Sequence, residues 1–154
     1  MQDRYSNHIG ILNRSESFLA CADIIKDNIE PGPTHTIYLF PMYYLYAHAL
    51  ELAIKSYIDF VFQSEDKLKK IGHDIEHAWN TAIENDIEKV FLVNEKFEAV
   101  INILNPIYKT KSLEYHMSGL CQLLDPTIVS KEINALVSSL KKHYCSEWRK
   151  SSKS

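Results

Sequence analysis

The sequence predicts an all-α fold: an up-and-down bundle of about five helices with an extended segment before the last helix. Apolar residues recur at steps of three and four along most of the chain, which is the period of a helix with one buried face. Only four glycines and five prolines occur in 154 residues, which suits long helices with short connections. We expect a single domain over residues 1–154, with a frayed tail over about the last eight.

The stretch Thr36–Phe62 predicts a long central helix that the other helices cover. Most of its circumference is apolar, which is typical of a buried helix. Pro41 predicts that the regular part begins at or just before that residue. The apolar stripe consists of Tyr43, Tyr46, Leu50, Ala53, Tyr57 and Val61, widened by Ala47, Ile54 and Ile58. Its tyrosines favour a core or an interface, and each buried hydroxyl needs a partner.

The helices on either side of it are predicted from their start and stop signals. The first runs from about Asn7 or Ile9 to Ile29 and is ended by Glu30-Pro-Gly-Pro. Residues 64–72 form a charged linker. The third helix follows Asp74 as its N-cap, and the fourth is capped by Asn94 and stopped by Pro106. Residues 87–93 fit either a turn or the fourth helix.

The end of the chain combines an irregular segment with a well-marked helix. Residues 106–125 have neither helical nor strand period, and we predict an extended, partly buried crossing segment there. Asp125 as N-cap and Pro126 at the first helical position then predict the start of the last helix.

Composition and charge exclude several classes of protein. A net charge of −3 gives the whole molecule no strong field for nucleic acid, although a local basic patch remains compatible with it. No signal-peptide core and no membrane-spanning segment is visible, so we expect a cytoplasmic protein with no membrane partner. Cys21, Cys121 and Cys145 show no metal or disulfide spacing, which favours reduced thiols, and we expect no metal and no cofactor.

The first candidate site is GHDIEH, residues 72–77. His73 and His77 are four residues apart, the spacing of a metal pair on one helix face, and Asp74 lies beside them. If Asp74 caps the helix, however, His73 lies outside it and the pairing fails. We therefore favour a helix start, and keep a metal-dependent hydrolase as the weaker alternative.

Two further groups carry ionisable or aromatic side chains. The polar ridge of the central helix holds His48, Glu51, Lys55 and Asp59, which could serve acid–base catalysis or could be a solvated edge; we favour the solvated edge. The segment with Lys109, Lys111, Tyr115 and His116 interleaves basic and aromatic residues, a pattern that holds phosphates and stacks bases. A packed loop with ordinary surface lysines is the interpretation that we favour there.

The middle of the chain carries AHALELAIKSYI, a charged turn and then GHDIEHAW. Together these stretches resemble the HEPN superfamily, in the "hELxLKxxL … GHdLxxLw" layout of its divergent bacterial branches. The later SLEYHMSG before a final helix is also similar to those branches, so the resemblance spans roughly residues 10–145. It implies an up-and-down helical bundle that dimerises. Many members are metal-independent ribonucleases or nucleotide-binding modules of prokaryotic toxin–antitoxin, abortive-infection and other defence systems.

The chain departs from the nuclease members of that superfamily. They carry an arginine four to six residues before a histidine on a late helix, and no arginine of this sequence fits. We therefore expect a non-catalytic HEPN-like binding module, homodimeric, with a protein partner or an RNA or nucleotide ligand. Its binding candidates are His48, Glu51, Lys55, Asp74, Lys109, Lys111 and Tyr115. The alternative is a degenerate metal-independent ribonuclease that uses His73, His77 or His116 for acid–base catalysis.

Overall fold

A computed structural model describes residues 7–30, 35–111 and 123–153 of the chain. These ranges contain six α-helices and no strand, so the predicted all-α class is confirmed. The helices are α1 (Asn7–Asn28), α2 (His35–Phe62), α3 (Glu65–Ile71), α4 (Ile75–Ile83), α5 (Glu95–Lys109) and α6 (Pro126–Ser151), with a 3-10 helix at Ile87–Lys89. No helix within the described ranges is both long and apolar enough to cross a bilayer.

The central helix of the bundle is α2, as its sequence predicts. It contacts α1, α3, α4, α5 and α6, and its most extensive interface is with α1. The α1–α2 pair is also joined by polar groups, since the Ser15 hydroxyl donates to the Ala49 carbonyl at 2.6 Å. Every member of its predicted stripe is buried except Val61, which is exposed.

Three tyrosines of α2 lie in the core, Tyr43, Tyr46 and Tyr57, and each of their hydroxyls has a partner on another part of the chain. Tyr43 donates to the Leu124 carbonyl, Tyr46 to the Asp23 carboxylate at 2.7 Å and Tyr57 to the Asn85 carbonyl at 2.7 Å. A buried hydroxyl without a partner would cost free energy, so these bonds fix which neighbours α2 accepts.

Three predicted helix starts are confirmed by their capping geometry. The side chain of Asp74 accepts the backbone N–H of His77, and that of Asn94 accepts the N–H of Phe97. Asp125 accepts the N–H of Thr127, with Pro126 as the first residue of α6. Each cap satisfies a backbone donor that the first helical turn leaves unpaired.

Two predicted helix boundaries at prolines are wrong. Helix α2 begins at His35, so Pro41 lies inside it, and α5 continues through Pro106 to Lys109. A proline fits helical φ and removes one backbone hydrogen bond, a cost that tertiary packing can offset. Here buried side chains lie close to each proline: Met42 directly follows Pro41, and Tyr108 lies two residues after Pro106.

The structure also differs from the prediction in the linker and in the tail, and it decides the open alternative at residues 87–93. The charged stretch 64–72 is helix α3, capped by Ser64, rather than a linker. Within residues 87–93, a separate 3-10 helix forms at Ile87–Lys89. Helix α6 continues to Ser151, beyond the expected start of the tail. Of the predicted extended segment, residues 106–109 are helical and residues 112–122 lie outside the described ranges.

Candidate functional site

The polar ridge of α2 is buried rather than solvated, so the solvated-edge interpretation is wrong. Glu51 is 2% exposed and Asp59 is 4% exposed. The same helical spacing that places His48, Glu51 and Lys55 on one face also places that face against the α3–α4 corner and α5. The burial of a carboxylate is unfavourable unless it is paired and hydrogen-bonded, so its partners define the site.

Three donors bind the Glu51 carboxylate, one from each of three parts of the fold. The Lys55 ammonium donates to Oε1 at 2.6 Å, and Nδ1 of His73 lies 3.1 Å from Oε2. The Tyr108 hydroxyl donates to the same Oε2. Nδ1 of His48 is a further 3.5 Å neighbour. We call Glu51 and these four residues the Glu51 cluster.

The ionisation of Glu51 is set by two opposed effects. Burial raises the pKa of the carboxyl, because a charge is less stable away from water. Favourable interactions with His48, Lys55 and Tyr108 and the charge of Lys55 outweigh burial, and the pKa falls to about 2. Glu51 is therefore a carboxylate at neutral pH and accepts every hydrogen bond that it makes.

The ionised Glu51 fixes the tautomers of the neighbouring imidazoles. A carboxylate only accepts, so Nδ1 of His73 carries the proton in the contact with Glu51. The Tyr108 hydroxyl donates its hydrogen bond to Glu51, so its oxygen accepts from Nδ1 of His48 at 2.8 Å. In both histidines the remaining ring nitrogen, Nε2, is then the acceptor when the ring is neutral.

The cluster joins the corner between α3 and α4 to the central helix. The Lys55 ammonium also donates to the Gly72 carbonyl at 2.6 Å, and Gly72 has a φ of 61°, in the left-handed region that favours glycine. His73, directly after it, lies edge-on to Tyr108 with ring centroids 5.9 Å apart. Glycine at this turn lets the chain bring both the carbonyl and the imidazole to α2.

A second polar group borders the Glu51 cluster on its α5 side. Asn105 is buried, and its side-chain oxygen accepts the Ile75 N–H at 2.8 Å while its amide lies 3.3 Å from Asp74 Oδ1. Lys109 pairs with Asp74 Oδ2 at 2.5 Å. Burial tends to raise the pKa of Asp74, but the hydrogen bonds from Lys109, His77 and Asn105 lower it.

The structure brings together some of the predicted site residues and separates others. His48, Glu51, Lys55 and His73 meet in the Glu51 cluster, and Asp74 and Lys109 lie beside it. Asp59 instead lies near His8 at the start of α1. His77 and Lys111 are exposed, and His77 contributes its backbone to the Asp74 cap. Tyr115 and His116 lie outside the described ranges.

His73 and His77 of the GHDIEH stretch do not share a helix face, as a pair of metal ligands on one helix would. Asp74 caps α4, so His73 precedes the helix and His77 lies in its first turn. Among the described residues, no group of three or more His, Cys, Asp or Glu side chains is arranged to hold a metal ion.

Sequence reasoning missed Tyr108 and Asn105. Tyr108 lies four residues after Leu104 and seven after Ile101, so it continues the apolar face of α5. That period was available in the sequence, but the prediction that Pro106 ends the helix concealed it. Asn105 has no comparable local signal, because its role depends on the distant Ile75 N–H.

Comparison with known proteins gives no assignment: no family model, no curated protein and no solved structure matches this chain.

Proposed function

We propose that this chain is a non-catalytic HEPN-like binding module that takes an RNA or nucleotide ligand, or a protein partner, at the surface around His73. The observation that carries the non-catalytic part is the saturation of Glu51 by donors from its own chain. The HEPN-like class, the ligand class and a place in a prokaryotic defence or toxin–antitoxin system rest on the sequence resemblance.

The chemistry of the Glu51 cluster favours binding over catalysis. A general base works best when its pKa is near the working pH, and the pKa of Glu51 is about 2. Lys55 has three ammonium donors, and two of them make hydrogen bonds to Glu51 and to the Gly72 carbonyl. Both groups therefore hold the α3–α4 corner in place, and neither is available for proton transfer to a bound molecule.

The outer surface of the site offers polar groups on a rigid support. The side chain of His73 is 63% exposed and that of Lys109 is 56% exposed. The first is anchored to buried Glu51 and the second to the Asp74 cap, so each is held with limited freedom. Nε2 of His73 has no hydrogen-bond partner in the described ranges. The Lys109 ammonium, and Nε2–H of His73 when the imidazole is protonated, suit an anionic ligand such as a phosphate of RNA or of a nucleotide.

Binding and cleavage are tested together by incubating the protein with transfer RNA, and separately with ATP, with and without EDTA. We expect reversible binding, intact RNA in both conditions and at least a tenfold weaker affinity for His73→Ala. His77→Ala is the matched control, because His77 is also exposed and lies outside the Glu51 cluster. Binding unchanged in His73→Ala and in Lys109→Ala would overturn the proposed site.

A homodimer is part of the proposal. Three large apolar side chains are exposed near the end of α1 and at the start of α2, those of Ile24, Ile37 and Tyr38. Large exposed apolar side chains are candidates for an interaction surface. Light scattering at micromolar concentration is expected to give twice the 17.8 kDa mass of the chain. A monomer mass there would refute the dimer and leave the binding site untouched.

A degenerate metal-independent ribonuclease is the second candidate, and one geometric observation favours it. Nδ1 of His73 faces the buried Glu51 carboxylate, which is the arrangement by which a carboxylate orients a histidine general base. RNA cleavage that persists in EDTA, is lost in His73→Ala and survives in His77→Ala would support this candidate over binding alone.

A further inference from the structure

The C-terminal part of α6 continues past the bundle core. The buried residues of α6 end at Tyr144, and all but one of the residues from Cys145 to Lys153 are exposed; Glu147 is partly buried. A helical segment with no buried side chain gains little from packing, so its surface is free for other contacts.

This segment carries a large share of the positive charge of the chain. Five of the 17 Lys and Arg lie within residues 141–153, together with one of the 20 Asp and Glu. The five are Lys141, Lys142, Arg149, Lys150 and Lys153, and they border one continuous surface with Cys145 and Ser146. Their spacing places them on one side of the helix, and we call this surface the cationic face.

Most of this charge is not neutralised locally. Lys141 pairs with Glu16 at 2.6 Å and Lys150 with Glu147 at 2.7 Å, and both pairs are at the surface. Lys142, Arg149 and Lys153 form no salt bridge with any described residue. The cationic face therefore stands out against a chain whose net charge is −3.

We propose that the cationic face binds the phosphate backbone of double-stranded DNA without sequence preference. The residues of this surface all belong to α6 and the turn that follows it. A helix of about 10–12 Å diameter fits the major groove, which is about 12 Å wide. Four of the five cations are lysines, which neutralise phosphates as point charges and read few base edges.

Other polyanions fit the same surface less well. Single-stranded RNA is held by several aromatic side chains on which successive bases stack, and Trp148 is the single large exposed aromatic side chain of this segment. Adhesion to an anionic bilayer scales with inserted apolar area, and Trp148 is the sole exposed large apolar side chain in this segment. A symmetric contact between two cationic faces would place like charges together. The proposal is independent of the Glu51 cluster.

The test is fluorescence anisotropy of the full chain with a labelled duplex of about 20 base pairs over a range of salt concentrations. We expect a Kd between about 10⁻⁶ and 10⁻⁴ M at physiological salt. If all five cations contact phosphates, log K against log salt has a slope of about −4.5. Trp148 is 68% exposed and Trp79 is 5% exposed, so quenching of the indole emission reports contact at this segment.

Paired variants separate the cationic face from charge in general. Lys142→Gln with Arg149→Gln should weaken binding and make the salt slope shallower by about 2. Arg149→Lys keeps the charge and should keep the slope. Lys89→Gln with Lys96→Gln is the control pair. These two lysines flank Asn94, whose side chain contacts Glu132 near the N-terminal end of α6, so they lie at the end of α6 opposite to the cationic face.

Several outcomes would overturn the proposal. These are no duplex binding at about 50 mM salt, an equal loss in the control pair, or stronger binding of single-stranded RNA of the same length. Preferential binding to vesicles of phosphatidylcholine and phosphatidylglycerol would show that the cationic face binds anionic lipid rather than DNA. Cations near a helix C-terminus also stabilise the helix, so circular dichroism of each variant must show unchanged helix content for its binding result to count.

Discussion

His73 and Glu51 are 22 residues apart in the chain, yet the imidazole Nδ1 lies 3.1 Å from the buried carboxylate Oε2. With Lys55, which reaches Gly72, this contact fastens the α3–α4 corner to the centre of α2. With Tyr108 it also fastens α5. A single carboxylate thus joins three parts of the bundle. Its removal should lower the stability of the fold and release the exposed His73 ring from its hydrogen bond.

Replacement of Glu51 by Gln is expected to destabilise the fold. The change keeps the size of the side chain but leaves the Lys55 ammonium, 13% exposed, without its counter-charge. The loss of one partner of a buried ion pair costs about 3 kcal/mol or more. Urea denaturation at neutral pH measures the change. Glu88→Gln, at an exposed position, is the control and should stay within about 0.5 kcal/mol of the wild type.

The contribution of Glu51 should depend on pH. Its pKa is lowered from 4.5 to about 2 in the folded protein, so the folded state favours the ionised form. The stabilisation is fully present above about pH 4.5 and is lost as the pH falls through about 2, with a full value of about 3 kcal/mol. The wild type minus Glu51→Gln difference in unfolding free energy, followed from pH 6 downward, should shrink in that window. A constant difference would contradict it.

Tyr108→Phe is expected to cost more than Tyr57→Phe. Tyr108 donates to an ionised carboxylate and accepts from His48, whereas Tyr57 donates to a neutral carbonyl. Hydrogen bonds to charged groups contribute about 1.5–3 kcal/mol and neutral ones about 1 kcal/mol. Thermal and urea unfolding of both variants compare them directly. Equal losses would show that the hydroxyl of Tyr108 does not stabilise the charge on Glu51.

Asp74 contributes as a helix cap more than as an ion-pair partner. Asp74→Ala removes the acceptor of the His77 N–H and should cost about 1 kcal/mol. Asp74→Asn keeps that acceptor but loses the charge that faces Lys109, an exposed pair that contributes less than about 1 kcal/mol. The expected order of stability is wild type, then Asn, then Ala. A larger loss for Asn than for Ala would reverse the assignment.

Asp59→Asn should show the opposite pH dependence to Glu51→Gln. Burial raises the pKa of Asp59, while the charge of His8 and a hydrogen bond from Asn7 lower it, and burial prevails. Protonated Asp59 therefore favours the fold at low pH, and that stability is lost as the pH rises through its folded pKa. The unfolding free energy of Asp59→Asn minus that of the wild type should therefore be larger at pH 7 than below pH 3.8. A pH-independent effect would contradict it.

The parts of this fold that sequence alone could predict are those that local physics decides. The period of α2 identifies the buried helix, and Asp74, Asn94 and Asp125 identify three helix starts, because a cap satisfies a donor two or three residues away. The positions of His48, Glu51 and Lys55 on one face also follow from helical spacing alone.

Local rules fail where distant contacts outweigh them. Pro41 and Pro106 each remove one hydrogen bond, but the buried residues beside them keep α2 and α5 intact. The spacing of the α2 ridge fits a solvated edge as well as a buried centre. The tertiary structure decided between them, because His73 and Tyr108, both distant in sequence, donate hydrogen bonds to Glu51 and allow it to be charged inside the protein. The Gly72 carbonyl, also distant in sequence, holds the Lys55 ammonium beside it.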